Sequence, residues 1–210
     1  MHYAKHLSKD KKMKQLIREH GEMKLTKYKQ VWLRLCLSIM SQQLSVKVAS
    51  VIRQRFLDLF NGKPTPEKII ATPHEKLRGI GMSNAKANYV KNVAQFELDK
   101  GMNLKKLEKM DNEAVIEYLT EIKGVGRWTV EMLLMFALCR EDVFAPDDLG
   151  LVNAMIGLYG IKKHKNKKLF RQRLIKHAEA WAPYRSYASL YLWRWKDNPP
   201  EKQKVKKKDA

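Results

Sequence analysis

Acidic residues are scarce in this 210-residue chain: 22 Asp and Glu stand against 42 Lys and Arg, a formal net charge of +20. The last ten residues, with five Lys, one Glu and one Asp, supply only +3 of it, so the excess belongs to the folded part. A surface of this kind concentrates polyanions by steering and counterion release, which makes nucleic acid the expected partner, with a merely solvated basic surface as the plain alternative. An anionic membrane fits less well, because the basic segments lack a long apolar face. Cysteine is nearly absent. Cys36 and Cys139 are 103 residues apart, which excludes a disulfide framework and a four-thiolate metal site. The opening M-H-Y-A-K-H-L-S-K-D-K-K has no signal-like hydrophobic stretch, and the apolar run V-W-L-R-L-C-L-S-I-M is short and interrupted by Arg34. The expectation is a reduced setting, cytoplasmic in a bacterium and nuclear in a eukaryote, with no membrane partner and a monomeric chain.

Two further absences bear on the fold. No alternating apolar–polar run is flanked by a two-residue hairpin, and no linker of disordered composition divides the chain. Apolar residues instead recur at helical spacing. An all-α protein follows, with helices predicted at 8–20, 28–41, 45–60, 66–71, 73–78, 83–100, 104–109, 112–121, 127–139, 147–158, 167–181 and 184–196. Asn61-Gly62, Gly101, Asp111 and Gly160 punctuate their ends. The final N-P-P-E-K-Q-K-V-K-K-K-D-A reads as a basic disordered tail at 198–210.

What is present is a glycine turn in an unusual setting: I-K-G-V-G-R-W-T-V-E-M at 122–132. Gly124 and Gly126 permit positive φ and leave no side chain between backbone N–H groups and a ligand. The next helix starts at once, so its unsatisfied N–H groups and positive dipole end point at the same place, where a phosphate would fit. A tight helix–helix turn closed by a glycine cap explains the same residues. The short helix D-N-E-A-V-I-E-Y-L-T before the turn and the apolar helix after it make a helix–hairpin–helix in a basic protein. A G-x-G also precedes the helix at 83–100, an echo too short to be a repeat.

T-E-I-K-G-V-G-R-W-T-V-E-M followed by D-V-F-A-P-D-D-L-G-L resembles the helix–hairpin–helix (HhH-GPD) DNA glycosylases, and within them the DNA-3-methyladenine glycosylase II branch. S-I-M-S-Q-Q-L-S-V-K-V-A, G-I-G-M-S-N-A-K-A and A-P-Y-R-S-Y-A-S-L-Y-L-W occur in the family's order, so the resemblance covers 31–195. It implies two α-helical lobes, one at 30–142 carrying the hairpin and one built from 1–29 plus 143–197, with the active site in the cleft between them. The implied reaction is hydrolysis of the N-glycosidic bond of alkylated purines, 3-methyladenine and 7-methylguanine, in double-stranded DNA during base excision repair.

The chemistry then selects residues. Breaking that bond gives the sugar oxocarbenium character, which an ionised carboxylate stabilises while it orients water. A-P-D-D-L-G-L offers Asp147 and Asp148 after Pro146; either can equally cap the next helix, and a helix start favours the ionised form. The resemblance makes Asp148 catalytic and Asp147 structural. Relatives that also cut the backbone carry a lysine two residues after the second hairpin glycine, where it attacks the sugar and forms a Schiff base. Trp128 stands there in this chain, which points to a monofunctional enzyme without AP-lyase activity.

The resemblance also places Trp128 and Trp193 in the base pocket, with Met132, one turn after Trp128, as a softer wall. From the residues alone, both tryptophans also suit core packing. Gln43 aligns with the side chain inserted where the target nucleotide is extruded, with Gln42 beside it; two polar residues in an inter-helix turn before a Ser45 cap is the simpler account. Ser83 marks a second backbone-contacting turn, and Gly124, Val125, Gly126 and Arg127 the hairpin's DNA contacts. No redox cofactor or zinc is implied. A monovalent cation on the main-chain carbonyls of Thr120, Ile122 and Val125 is. Two rivals stay open: a noncatalytic helix–hairpin–helix module that only grips duplex DNA, and a glycosylase for uracil, hypoxanthine or oxidised guanine. Asp148, Trp128 and Trp193 count against the first. The missing hairpin lysine counts against most oxidised-base lyases, and the missing cysteines exclude an iron–sulfur type.

Overall fold

A computed structural model describes residues 1–198; the tail expected at 198–210 lies, from residue 199 on, outside the described residues. The described residues are helical and contain no strand. The chain divides into a contiguous unit, Thr26–Cys139, and a unit assembled from Met1–Leu25 with Arg140–Ala210. These divisions stand against the 29/30 and 142/143 expected. Residues 26–29 go with the contiguous unit because the Tyr28 N–H donates to the Ala137 carbonyl at 3.0 Å and the Lys27 ammonium meets Glu108 at 2.7 Å.

The contiguous unit contains α3 (Val31–Ser41), α4 (Val46–Leu59), α5 (Pro66–Ala71), α6 (His74–Gly79), α7 (Asn84–Asp99), α8 (Leu104–Glu108), α9 (Asn112–Thr120) and α10 (Arg127–Phe136). Leu35, Cys36, Ile39 and Met40 on α3 are buried, and so are Ala87, Val90, Val93 and Ala94 on α7, the helix against which α3 packs. Ile69 of α5 and Val130, Leu133 and Leu134 of α10 complete that core. Short polar side chains set the starts: Ser45 accepts from the Val48 N–H, Thr65 from Lys68, Ser83 from Lys86, and Asp111 from Ala114.

The second unit contains α1 (Ala4–Leu7), α2 (Lys11–His20), α11 (Leu149–Tyr159), α12 (Lys167–Ala178), a 3₁₀ turn at Glu179–Trp181 and α13 (Arg185–Asp197). Its core joins the first residues of the chain to the last helix. The Tyr3 ring stacks on Tyr187 with centroids 3.9 Å apart, and the Tyr3 and Tyr191 hydroxyls lie 3.2 Å apart in the interior. Leu7, Met13, Leu16, Met155, Trp181 and Leu192 fill the rest.

Four predicted boundaries move for physical reasons, and one helix was not predicted. The helix expected from residue 8 begins at Lys11, because the Asp10 carboxylate caps it by accepting from the Lys12 and Met13 N–H groups. Residues 28–30 are not helical, since Tyr28 bonds across to Ala137. The helix predicted to reach Cys139 stops at Phe136, and Cys139 adopts φ +56°. The helix predicted over 167–181 tightens into a 3₁₀ turn after Ala178. The unpredicted α1 is a single turn. Among the described residues no helix is long and apolar enough to cross a membrane.

Candidate active site

In the two-segment unit the segment that leads into the A-P-D-D loop is strapped to the start of α13. The Arg185 guanidinium grips the Asp142 carboxylate at 2.6 and 2.9 Å. The Ser186 hydroxyl donates to the Arg140 carbonyl at 2.6 Å and accepts from the Val143 N–H at 3.0 Å. The P-Y-R-S-Y motif thus fixes the path of 140–143 on α13, the helix that carries Trp193 two turns further on. Asp148 then caps α11: its Oδ1 accepts from the Leu151 N–H at 2.8 Å. The same oxygen accepts from the Trp193 indole N–H, also at 2.8 Å. Gly150 makes this approach possible, because a Cβ there would lie 2.9 Å from Trp193 Cδ1 and 3.0 Å from Asp148 Oδ1. Two donors on one oxygen fix the plane of a half-buried carboxylate at the positive end of a helix. Asp147 is exposed and pairs with Arg171 at 3.2 Å.

In the contiguous unit the hairpin joins α9 to α10. Gly124 has φ +101°, and a Cβ on it would sit 2.1 Å from Cγ of the Tyr89 ring, so the turn and the ring both demand glycine. The Asn92 amide steadies the turn by donating to the Lys123 carbonyl at 3.0 Å. Val125 turns inward, its N–H bonded to the Ile122 carbonyl at 2.9 Å and its side chain buried. Gly126, at φ −98° and ψ 166°, precedes α10 and offers no side-chain cap; a helix start of this kind is where an anion does the capping. The Arg127 side chain is committed to protein. Its guanidinium takes both Glu113 oxygens, one at 2.8 Å, and reaches Glu131 at 3.1 Å, bracing α10 against α9.

A cavity of about 330 Å³ opens beside the hairpin, lined by Gln42, Gln43, Gly124, Gly126, Trp128 and Thr129. The α3–α4 turn reaches it by two props. The Gln42 amide donates to the Thr129 hydroxyl at 3.0 Å. The Lys86 ammonium donates to the Met40 and Gln42 carbonyls at 3.1 and 2.7 Å, and its burial lowers its pKa. Gln43 is exposed at φ +58°, a conformation uncommon outside glycine. Met132 follows Trp128 by one turn of α10, half-buried, and does not line this cavity. Ser83 is exposed and caps α7. Five of the six cavity residues were singled out from sequence; Thr129, Lys86, Tyr89, Asn92 and Gly150 were not. Lys86 lies inside the G-I-G-M-S-N-A-K-A motif, but nothing in residue type announces which carbonyls a lysine will reach.

Among the described residues no cluster of His, Cys, Asp and Glu is placed to hold a metal ion. Residues 36–180 match the family model described as HhH-GPD superfamily base excision DNA repair protein. The chain is 36% identical to DNA-3-methyladenine glycosylase 1 of Schizosaccharomyces pombe over 187 residues, 88% of this chain and 80% of that protein. It is 32% identical to the putative DNA-3-methyladenine glycosylase YfjP of Bacillus subtilis, over 92% of this chain and 68% of that one. Among solved structures, the S. pombe 3-methyladenine DNA glycosylase Mag1 in complex with abasic DNA superposes with a TM-score of 0.82 at 36% identity, covering 92% of this chain and 96% of that one. The 3-methyladenine DNA glycosylase of Archaeoglobus fulgidus gives 0.74 at 28% identity, covering 92% and 68%. The hairpin between α9 and α10, the carboxylate at the start of α11 and these matches agree: the chain belongs to the HhH-GPD superfamily of base excision DNA repair proteins.

Proposed function

We propose that the chain is a monofunctional DNA glycosylase that hydrolyses the N-glycosidic bond of alkylated purines, chiefly 3-methyladenine and 7-methylguanine. One observation carries the reading. The Asp148 carboxylate is held by the Trp193 indole as well as by the helix start it caps, and Gly150 is small enough to let the indole in. Capping alone needs no indole, and a module that only grips DNA needs no oriented carboxylate.

In this reading Asp148 faces the sugar and stabilises positive charge developing at C1′ as the bond to the base breaks. It orients the incoming water and takes the proton that water loses, so the sugar gains a hydroxyl while the base departs with the bonding electrons. A cationic N-methylated purine leaves as a neutral molecule and needs little general-acid help, which suits a site with one oriented carboxylate. A tryptophan face attracts a cationic base by roughly 0.5–2 kcal/mol, a role proposed for Trp193 in one unit and for Trp128 in the other, where Met132 follows one turn later as a compliant side chain. Gln43 fills the space left by the extruded nucleotide, and Gln42 supports it from the Thr129 hydroxyl.

The hairpin takes a backbone phosphate on the N–H groups around Gly126, and Ser83 marks a second contact. Arg127 contributes through its main chain, because its guanidinium serves Glu113 and Glu131. A monovalent cation on the main-chain carbonyls of Thr120, Ile122 and Val125 belongs to the same proposal. Among the described residues those of Thr120 and Val125 accept no hydrogen bond, that of Ile122 accepts only from Val125, and neutral oxygens suit a singly charged hard ion. It would hold the turn in shape. The chain acts as a monomer on duplex DNA.

The test is mass analysis of bases released from methylated duplex DNA. Asp148→Asn should keep DNA binding and lose base release by on the order of 10²-fold or more. Loss on Asp147→Asn with Asp148→Asn still active would sink the assignment. Borohydride added during turnover should trap no covalent protein–DNA adduct, because position 128 carries no amine.

A further inference from the structure

The run K-K-H-K-N-K-K-L-F-R-Q-R-L-I-K at 162–176 holds eight Lys and Arg and no Asp or Glu. The carboxylate-free stretch is longer still, from Leu149 to Ala178. Over residues 1–25 and 140–198 the count is 19 Lys and Arg against 9 Asp and Glu, a net +10, so these fifteen residues hold most of the unit's excess charge. Lys162, Lys163, Lys165, Lys167, Lys168, Arg173 and Lys176 are exposed, while Arg171 forms an ion pair with Asp147. Lys167 and Lys168 occupy the first turn of α12, which has no acidic residue there. Cations at the positive end of a helix dipole oppose the fold instead of supporting it.

Two interactions establish which way this run faces. Arg171, in the first half of α12, reaches Asp147 just ahead of α11. His177, near the end of α12, lies 4.3 Å from the ring of Tyr159, the last residue of α11. Helices α11 and α12 therefore run side by side in the same direction, and the connection at 160–166 returns along them. The lysine-rich start of α12 is thus carried back to the end of α11 where Asp148 sits. At the opposite end, roughly 16 Å away along an eleven-residue helix, Asp10 accepts from the Tyr159 hydroxyl, which places Lys9 and Lys11 there.

We propose that Lys165, Lys167 and Lys168, where the connection meets the first turn of α12, form a second phosphate-binding surface, separate from the hairpin, that holds the sugar-phosphate backbone of duplex DNA on the Asp148 side of this unit. The occupant is a phosphodiester chain because the run offers exposed cations and no carboxylate of its own. Neutralising phosphates also removes the repulsion that the first turn of α12 carries on its own. The proposal rests on the reading of the protein as a DNA glycosylase.

The test compares Lys165→Gln/Lys167→Gln/Lys168→Gln with Lys5→Gln/Lys9→Gln/Lys11→Gln, which removes equal charge at the far end of the unit. Binding to an undamaged duplex is measured over a series of salt concentrations. For every phosphate that the protein no longer neutralises, the slope of log K against log salt becomes shallower by about 0.9. The 165/167/168 variant should give a slope shallower by the equivalent of about two to three phosphates, while the control variant keeps the parent slope. Melting temperature should stay level or rise in the 165/167/168 variant. Equal slopes for parent and both variants, or equal changes in both, would overturn the surface, the second because only net charge would then matter. Failure of the underlying reading looks different: the unmutated protein would release no methylated base, whatever its salt slope.

Discussion

Gly124 and Gly126 stand two residues apart, and the Cβ that each lacks would meet different things. At Gly124 it would overlap the Tyr89 ring at a backbone φ of +101°, so the fold itself requires glycine. At Gly126 the backbone is one any residue adopts, and nothing lies within 4 Å of the missing Cβ. Glycine at 126 leaves space for something the protein does not itself supply. Gly124→Ala should destabilise the chain by about 2 kcal/mol or more. Gly126→Ala should melt within a few tenths of a kcal/mol of the parent. It should nonetheless bind damaged and undamaged duplex alike about tenfold more weakly, the worth of a charge-assisted hydrogen bond. Thermal melts beside DNA titrations separate the two. A Gly126→Ala protein that binds as the parent does would remove the phosphate from this turn.

At the scale of elements, the start of α2 is a small electrostatic device. Burial opposes the charge on Asp10, but the indole N–H of Trp181, the Met13 N–H, the Tyr159 hydroxyl and the Lys12 N–H outweigh it and hold the carboxyl below its ordinary value of 3.8. A folded pKa below the unfolded one gives stability that is fully present above the ordinary value and is lost as pH falls through the lowered one. Asp10→Asn keeps the shape and gives up an acceptor for Tyr159 and Trp181, at a cost of about 1 kcal/mol near neutrality for a partly solvated site. The gap between parent and variant should close on acidification, and melts taken from neutral to strongly acid buffer will show whether it does. Caps were the most legible part of the sequence. Ser45, Asp111 and Asp148 each cap the helix that follows, since a short side-chain oxygen needs only local geometry. Asp10 was missed because the apolar pattern begins before it and its other partners, Tyr159 and Trp181, are about 150 residues or more away.

At the scale of the molecule, the all-α class was legible from periodicity, and the helix–hairpin–helix from motif order, because α9, the hairpin and α10 are continuous in sequence. The division of the chain was less so: the Tyr28–Ala137 bond that assigns residues 26–29 joins backbone groups, which carry no residue signature. The same holds for Lys86 under the α3–α4 turn, whose two acceptors are carbonyls. Arg127 is the opposite case. A basic side chain beside a glycine hairpin invites a DNA contact, yet Glu113, fourteen residues back, has claimed it. Net charge was read correctly as belonging to the folded part, but its concentration beside Asp148 needed the course of α12 to become visible.

Because one unit is contiguous and the other closes the last helix onto the first residues, the two cannot become complete together as the chain leaves the ribosome. Residues 1–25 emerge first with Tyr3, Leu7 and Met13 lacking the α13 surface that buries them, and wait while Thr26–Cys139 folds ahead of them. The hairpin is therefore in place before the carboxylate has its indole. Nascent chains stalled once residue 139 has cleared the exit tunnel should resist brief proteolysis across 26–139 and be cut within 1–25; protection of both segments at that length would show that the N-terminal segment finds shelter without α13.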